Sequence, residues 1–67
     1  MKTTFTIAIM QEENWFVAKC IENNVASQGT NIDEAIKNLK EALELFYEDG
    51  QIPEFSQTFV TTLEVAI

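Results

Sequence analysis

The stretch NIDEAIKNLKEALELF, from Asn31 to Phe46, is the clearest structural signal in the sequence. Its apolar residues recur at intervals of three and four, which predicts an amphipathic α-helix with one face buried against another layer. Asn31 is a favourable N-cap, and Glu34 three residues later completes a capping-box pattern. Gly50 lies where we expect a residue that ends the helix. The apolar stripe comprises Ile32, Ala35, Ile36, Leu39, Ala42, Leu43 and Phe46.

On both sides of this helix the chain alternates between apolar and polar residues, which is the period-2 pattern of β-strands. Residues 3–10, 15–21 and 25–28 predict three strands before the helix, and residues 58–67 predict a fourth strand after it. One amphipathic helix covers one face of one sheet. The order β-β-β-α-β therefore predicts an α+β two-layer sandwich with one helix on a mostly antiparallel sheet. We expect a single domain over residues 1–67.

Two residues indicate how the chain turns between these elements. Asn14 follows a polar break and tolerates positive φ, so we expect it in a hairpin turn between the first two strands. Gly29 lies between the third strand and the helix, where its freedom lets the chain change direction.

The charge balance excludes several classes of partner. The chain has 67 residues with eleven acidic side chains, four lysines and no arginine, for a formal net charge of −7. Binding a nucleic-acid backbone or an anionic membrane needs clustered cations, so we expect neither partner. A basic protein, by contrast, is attracted to such a surface. The longest apolar runs are too short to span a bilayer and no signal peptide is recognisable, so we expect a cytoplasmic protein.

The sequence offers little to support catalysis, and we expect no enzyme activity, no cofactor and no metal site. Histidine, the commonest general base, is absent. Cys20 is the only cysteine and alternates toward the expected core, so we interpret it as a small buried apolar residue. Asp33 and Glu34 are explained by helix capping. No loop has the ligand spacing of a calcium site or the glycine and lysine pattern of a phosphate-binding loop.

Some apolar residues remain after the expected core is filled. Trp15 and Val17 alternate to the face of the sheet opposite the helix, and Leu45 lies outside the apolar stripe. The tryptophan either packs across neighbouring threonines or under a loop, or it belongs to a protein-binding surface, since Trp is enriched at interaction hot spots.

Three segments taken together resemble the HicB-like antitoxin family of type II toxin-antitoxin systems, in a short single-domain form. They are WFVAKC at 15–20, VASQG at 25–29 and the helical stretch at 31–46, in the same order and spacing. The resemblance covers about residues 3–48, and the last predicted strand agrees in type. It implies a partial RNase-H-like fold without the RNase H catalytic carboxylates.

The resemblance also implies a partner and a mode of action. The partner is a small basic HicA-like toxin that cleaves messenger RNA, and the antitoxin covers the toxin's active site. Many family members carry a further C-terminal DNA-binding segment; we expect none in this chain. The turn after the second strand, with Ile21, Glu22 and Asn23, is a candidate partner-contact region, and Ile21 and Asn23 stand there in place of the proline and leucine of the family. The rival hypotheses are a stand-alone homo-oligomeric regulatory or scaffolding domain of the same fold, and an enzyme or ligand carrier.

Chain length predicts self-association. A domain of this size buries only about 60% of its unfolded surface, and neither a disulfide nor a transition-metal site is available to stabilise it. We therefore expect a homo-oligomer, with a dimer favoured. Either the Trp15 and Val17 face or the edge of the last strand, which includes Val65, could be the surface used.

Overall fold

The structure, a computed structural model, describes residues 3–67. Three strands, β1 (Ile7–Glu12), β2 (Trp15–Cys20) and β3 (Ala26–Gly29), form one antiparallel sheet in the order β1-β2-β3. The helix α1 (Ile32–Phe46) follows them. The predicted α+β arrangement of three antiparallel strands followed by one helix is confirmed.

The β1–β2 hairpin is closed by two residues, Glu13 and Asn14. Positive φ falls on Glu13, at 47°, and not on Asn14 as the sequence suggested. Because Glu12 is paired directly with Trp15, the loop has two residues, and positive φ at the first of them alone is typical of a type II′ turn. Asn24, in the turn before β3, also has positive φ.

The start of α1 is capped as predicted. The Glu34 amide donates to the Asn31 side chain at 2.8 Å, and the Glu34 carboxylate accepts from the Thr30 amide at 2.9 Å. The helix ends at Phe46, with Tyr47 as its C-cap, a full turn before Gly50. Gly50 has a φ of 77°, and its amide donates to the Tyr47 carbonyl at 2.8 Å. The glycine therefore reverses the chain after the helix and is not the residue that ends it.

Gly29 brings the helix close to the sheet. A β-carbon at this position would lie 2.6 Å from the backbone nitrogen of Ala35 and 2.9 Å from the carbonyl carbon of Glu34. Backbone atoms of a helix do not move aside for a side chain, so only glycine permits this approach. Gly29 thus serves close packing, whereas the sequence suggested that it serves a turn.

The core lies between β2 and α1 and is small. Its buried apolar residues are Ala18, Cys20, Ala35 and Leu39, and the helix packs mainly over β3 and β2. Ile7, Ile9, Phe16, Val25 and Leu43 are half-buried against this centre. Strand β1 therefore lies at the margin of the area that α1 covers.

The fourth strand predicted at residues 58–67 is not formed within the single chain. Residues 51–67 have no regular secondary structure, and the alternating residues from Phe59 onward are exposed. An alternating sequence is a strand only when a neighbouring strand completes its hydrogen bonds, and here none does so.

Among the described residues, α1 is too short and too polar to cross a membrane.

Candidate functional site

The face of the sheet opposite α1, here called the outer sheet face, is the surface on which the sequence placed its interaction residues. Strand alternation and the observed register put three residues of β1 beside three of β2 on this face. The cross-strand pairs are Ala8 with Lys19, Met10 with Val17, and Glu12 with Trp15. No helix covers this face, because α1 packs on the other side of the sheet.

Trp15 is the largest side chain of the outer sheet face and is 48% exposed. Met10, diagonal to it across the hairpin, is similarly exposed, and Val17 is half-buried. Trp15 is therefore not sealed under a loop. The three side chains form a compact apolar strip that a partner is able to cover.

Two carboxylates lie at the hairpin end of this apolar strip. Glu12 is the cross-strand neighbour of Trp15, and Glu13 precedes it in the hairpin turn. Both carboxylates are exposed. A cationic side chain is attracted both by the face of an exposed indole ring and by neighbouring carboxylates. This end of the face therefore combines an exposed aromatic ring with two exposed carboxylates.

The turn between β2 and β3 has a mainly structural role. The Glu22 carboxylate accepts from the Thr6 amide at 2.8 Å and from the Cys20 thiol at 3.5 Å. The Thr6 hydrogen bond is the main reason that the pKa of Glu22 falls from 4.5 to about 2, and the Thr58 side chain lowers this pKa further. The Glu22 carboxylate thus holds the backbone at Thr6 next to this turn.

Asn23 connects the same turn to the end of the helix. Its side-chain nitrogen donates to the Tyr47 hydroxyl at 2.9 Å, and its side-chain oxygen accepts from the Val25 amide at 3.0 Å. Ile21, beside it, is exposed and makes its backbone hydrogen bond to Thr6. Of the three turn residues named from the sequence, Ile21 alone presents an exposed apolar side chain.

The predicted interface residues do not form one patch. Trp15 and Val17 share the outer sheet face, whereas Leu45 lies on α1, in the opposite layer, and is 69% exposed. Val65 lies in the C-terminal part that follows the helix and is also exposed. Several separate surfaces are therefore available.

Cys20 has the environment of a core residue. It is fully buried, and burial is the main cause that raises the pKa of its thiol. A raised pKa keeps the sulfur protonated and unreactive at neutral pH. Across residues 3–67, no three or more Cys, Asp or Glu side chains come together in a way that could hold a metal ion.

The sequence did not reveal a second surface, an open groove of about 600 Å³ between α1 and residues 3–7, where β1 begins. Its walls include Phe5, Ile7, Ile36, Leu39, Leu43 and Tyr47. The apolar periodicity of the sequence predicts that most of these residues lie in the core. The spacing of Ile36, Leu39 and Leu43 indicates that these helix residues face the sheet. It does not indicate that the sheet is too narrow to cover them.

The chain matches the model of one family along nearly all of its length, from residue 3 to residue 65. That family is described as a family of unknown function, DUF7387. Neither a curated protein nor a solved structure matches the chain. The chain thus belongs to the family of unknown function DUF7387.

Proposed function

We propose that this protein is an antitoxin-type binding module, which neutralises a small basic HicA-like toxin by covering the toxin's active site. The observation that carries the proposal is the outer sheet face, where the half-exposed Trp15 pairs across the strands with Glu12 and Glu13 lies in the adjoining turn. Tryptophan is enriched among residues that dominate binding energy, and acidic neighbours select a cationic partner. The proposed activity is binding, without a catalytic step.

The overall charge supports the same class of partner. With a formal net charge of −7, the chain repels nucleic acids and acidic proteins and attracts basic ones over several ångströms. Salt screens such attraction over about 8 Å at physiological ionic strength. Association with the toxin should therefore become slower as salt increases, while the contacts of Trp15 change less.

A second candidate is a stand-alone homo-oligomeric domain of the same fold with a regulatory or scaffolding role. The observation that favours it is the exposed apolar C-terminal part, which includes Phe59 and Leu63. The two candidates are compatible in one respect, because self-association through that part leaves the outer sheet face free.

The first experiment captures the partner and then tests neutralisation. Tagged protein is cross-linked in its native host, and the bound chains are identified by mass spectrometry. The proposal expects a small basic chain that contains histidine. That chain, expressed alone, should cleave messenger RNA and arrest growth, and co-expression of this protein should relieve the arrest.

Variants of matched type then locate the binding surface. Trp15→Ser should weaken binding to the captured chain by about 30-fold or more, as expected when a hot-spot tryptophan is removed. Leu45→Ser removes an exposed apolar residue from the other layer and should leave binding unchanged. Equal losses in both variants, or toxin activity that persists in the presence of this protein, would contradict the proposal.

A further inference from the structure

The segment 58–67 has the sequence of a strand but no partner within the described chain. Its odd-numbered residues are Phe59, Thr61, Leu63, Val65 and Ile67, and they lie on one face of an extended chain. Phe59 is 82% exposed and Leu63 is 86% exposed. Glu64, on the opposite face, is its only charged residue. A long, mostly apolar strand with a single charged residue is the kind of element that pairs with another chain.

The surface area of the chain is too large for a self-sufficient domain. Its accessible area is 5812 Å². A folded monomer of 7.6 kDa is expected to expose about 4300 Å², so the excess is about 1500 Å². The radius of gyration is 13.6 Å, against about 11 Å expected for a compact domain of this length. Both quantities describe a chain that is less compact than a self-sufficient domain of this length.

The sheet offers one position where a further strand would complete the fold. In the order β1-β2-β3, the outer edge of β1 is not paired with any strand of the described chain. The groove lies at the start of this edge, where Ile7 and the residues just before β1 face α1. The edge of β3 is a poorer site, because β3 has four residues against six in β1 and lies under the helix.

The segment 58–67 and the groove at the open edge of β1 have complementary apolar surfaces. Phe59 and Leu63 lie on the apolar face of the segment, whereas Phe5, Leu43 and Tyr47 line the groove. A strand along β1 would gain main-chain hydrogen bonds at the edge and would place alternate side chains in the groove. Ten residues of strand span about 33 Å, which is more than the length of β1.

We propose that the segment 58–67 of a second copy pairs with the outer edge of β1 and fills the groove with its Phe59 and Leu63 face, so that two copies exchange strands in a homodimer. The excess accessible surface supports a second copy as the source of this strand. An excess of about 1500 Å² on each copy corresponds to an interface of about 3000 Å², within the range of obligate homodimers. The proposal is independent of the toxin partner, because it leaves Trp15 on the free face of the sheet.

The path of the chain supports exchange between copies. Phe55 packs edge-on against Phe5 with their ring centroids 5.8 Å apart, and Thr58 is half-buried. The chain thus reaches the start of its own β1 and then continues without packing along it, since the residues from Phe59 onward are exposed. A second copy related by a two-fold axis offers the same edge and groove to a segment that leaves its own body.

The first test compares two neighbouring substitutions in the full chain by light scattering at tens of micromolar. The parent should have about twice the chain mass of 7.6 kDa. Leu63→Asp places a charge on the groove-facing side and should give a monomer. Thr62→Asp places the same charge on the opposite side and should leave the dimer intact. A monomeric parent, or a dimer that persists in Leu63→Asp, would overturn the proposal.

The second test separates exchange between copies from packing within one chain. Ile36→Glu damages the groove and leaves the segment intact, whereas Leu63→Asp damages the segment and leaves the groove intact. Each variant alone should be monomeric. An equimolar mixture should form a heterodimer, because the intact segment of one variant enters the intact groove of the other. If the mixture remains monomeric, the strand is not exchanged between copies and the proposal fails. Circular dichroism of each variant confirms that the monomers are folded.

Discussion

Truncation of Leu39 to alanine tests how the small core is built. Leu39 is 1% exposed and packs against Ala18 and Ala35. The three carbon atoms that leucine has beyond alanine contribute about 2.4 kcal/mol when buried, at about 0.8 kcal/mol each. Incomplete collapse of the cavity adds to this cost, and leucine-to-alanine changes in cores reach about 5 kcal/mol.

The structure places the expected loss in the free energy of unfolding in the lower half of the range from about 2.4 to about 5 kcal/mol. Leu39 also lines the groove between β1 and α1, so the space left by truncation opens toward the groove instead of remaining sealed. We therefore expect a loss of about 3 kcal/mol in the free energy of unfolding. A domain of this length has a total stability of about 3–10 kcal/mol, so the loss is a large fraction of it.

Urea denaturation followed by circular dichroism measures this loss, with the chain concentration held fixed because association contributes to stability. The matched control is Leu45→Ala on the same helix, where the leucine is 69% exposed. The control should change the free energy of unfolding by about 0.5 kcal/mol or less. If the two variants lose equal stability, or if Leu39→Ala loses less than about 1 kcal/mol, the assignment of the buried helix face is refuted.

Two further perturbations have defined outcomes. Gly29→Ala should lower the free energy of unfolding by about 1–3 kcal/mol, because its β-carbon would meet the Ala35 nitrogen at 2.6 Å; an unchanged urea midpoint would show that the helix does not approach this closely. Glu22 has its pKa lowered from 4.5 to about 2 by the Thr6 hydrogen bond, so its ionised form stabilises the fold fully above pH 4.5 and progressively less as the pH falls toward 2. The melting temperature of the parent should therefore exceed that of Glu22→Gln near neutral pH, and this difference should shrink in acid; a difference independent of pH would contradict the assigned role.

Local signals in the sequence were sufficient to predict the helix and the three strands. The helix start at Asn31 follows from side-chain and backbone groups within a few residues, and the hydrogen bonds confirm it. The exposure of Leu45 follows from the helical period alone. The division of β2 into a buried face with Ala18 and an outer face with Trp15 follows from the period of two.

Features that depend on distant parts of the chain were not predictable in this way. The positive φ of Glu13 depends on the register between two strands, which the composition of the turn does not determine. The closeness of Gly29 to Ala35 depends on the packing of helix and sheet. The segment 58–67 has the period of a strand, but a period does not reveal which edge, or which copy, completes the hydrogen bonds.

The most direct test of whether the fold is completed by a second copy is amide hydrogen exchange of the segment 58–67 at increasing chain concentration. In a single chain its backbone amides have no strand partner, so they should exchange rapidly when the protein is dilute. If two copies exchange this segment, protection of these amides, and of the edge of β1 beside the groove, should increase together with the dimer fraction. Rapid exchange at every concentration, or protection that is independent of concentration, would contradict it.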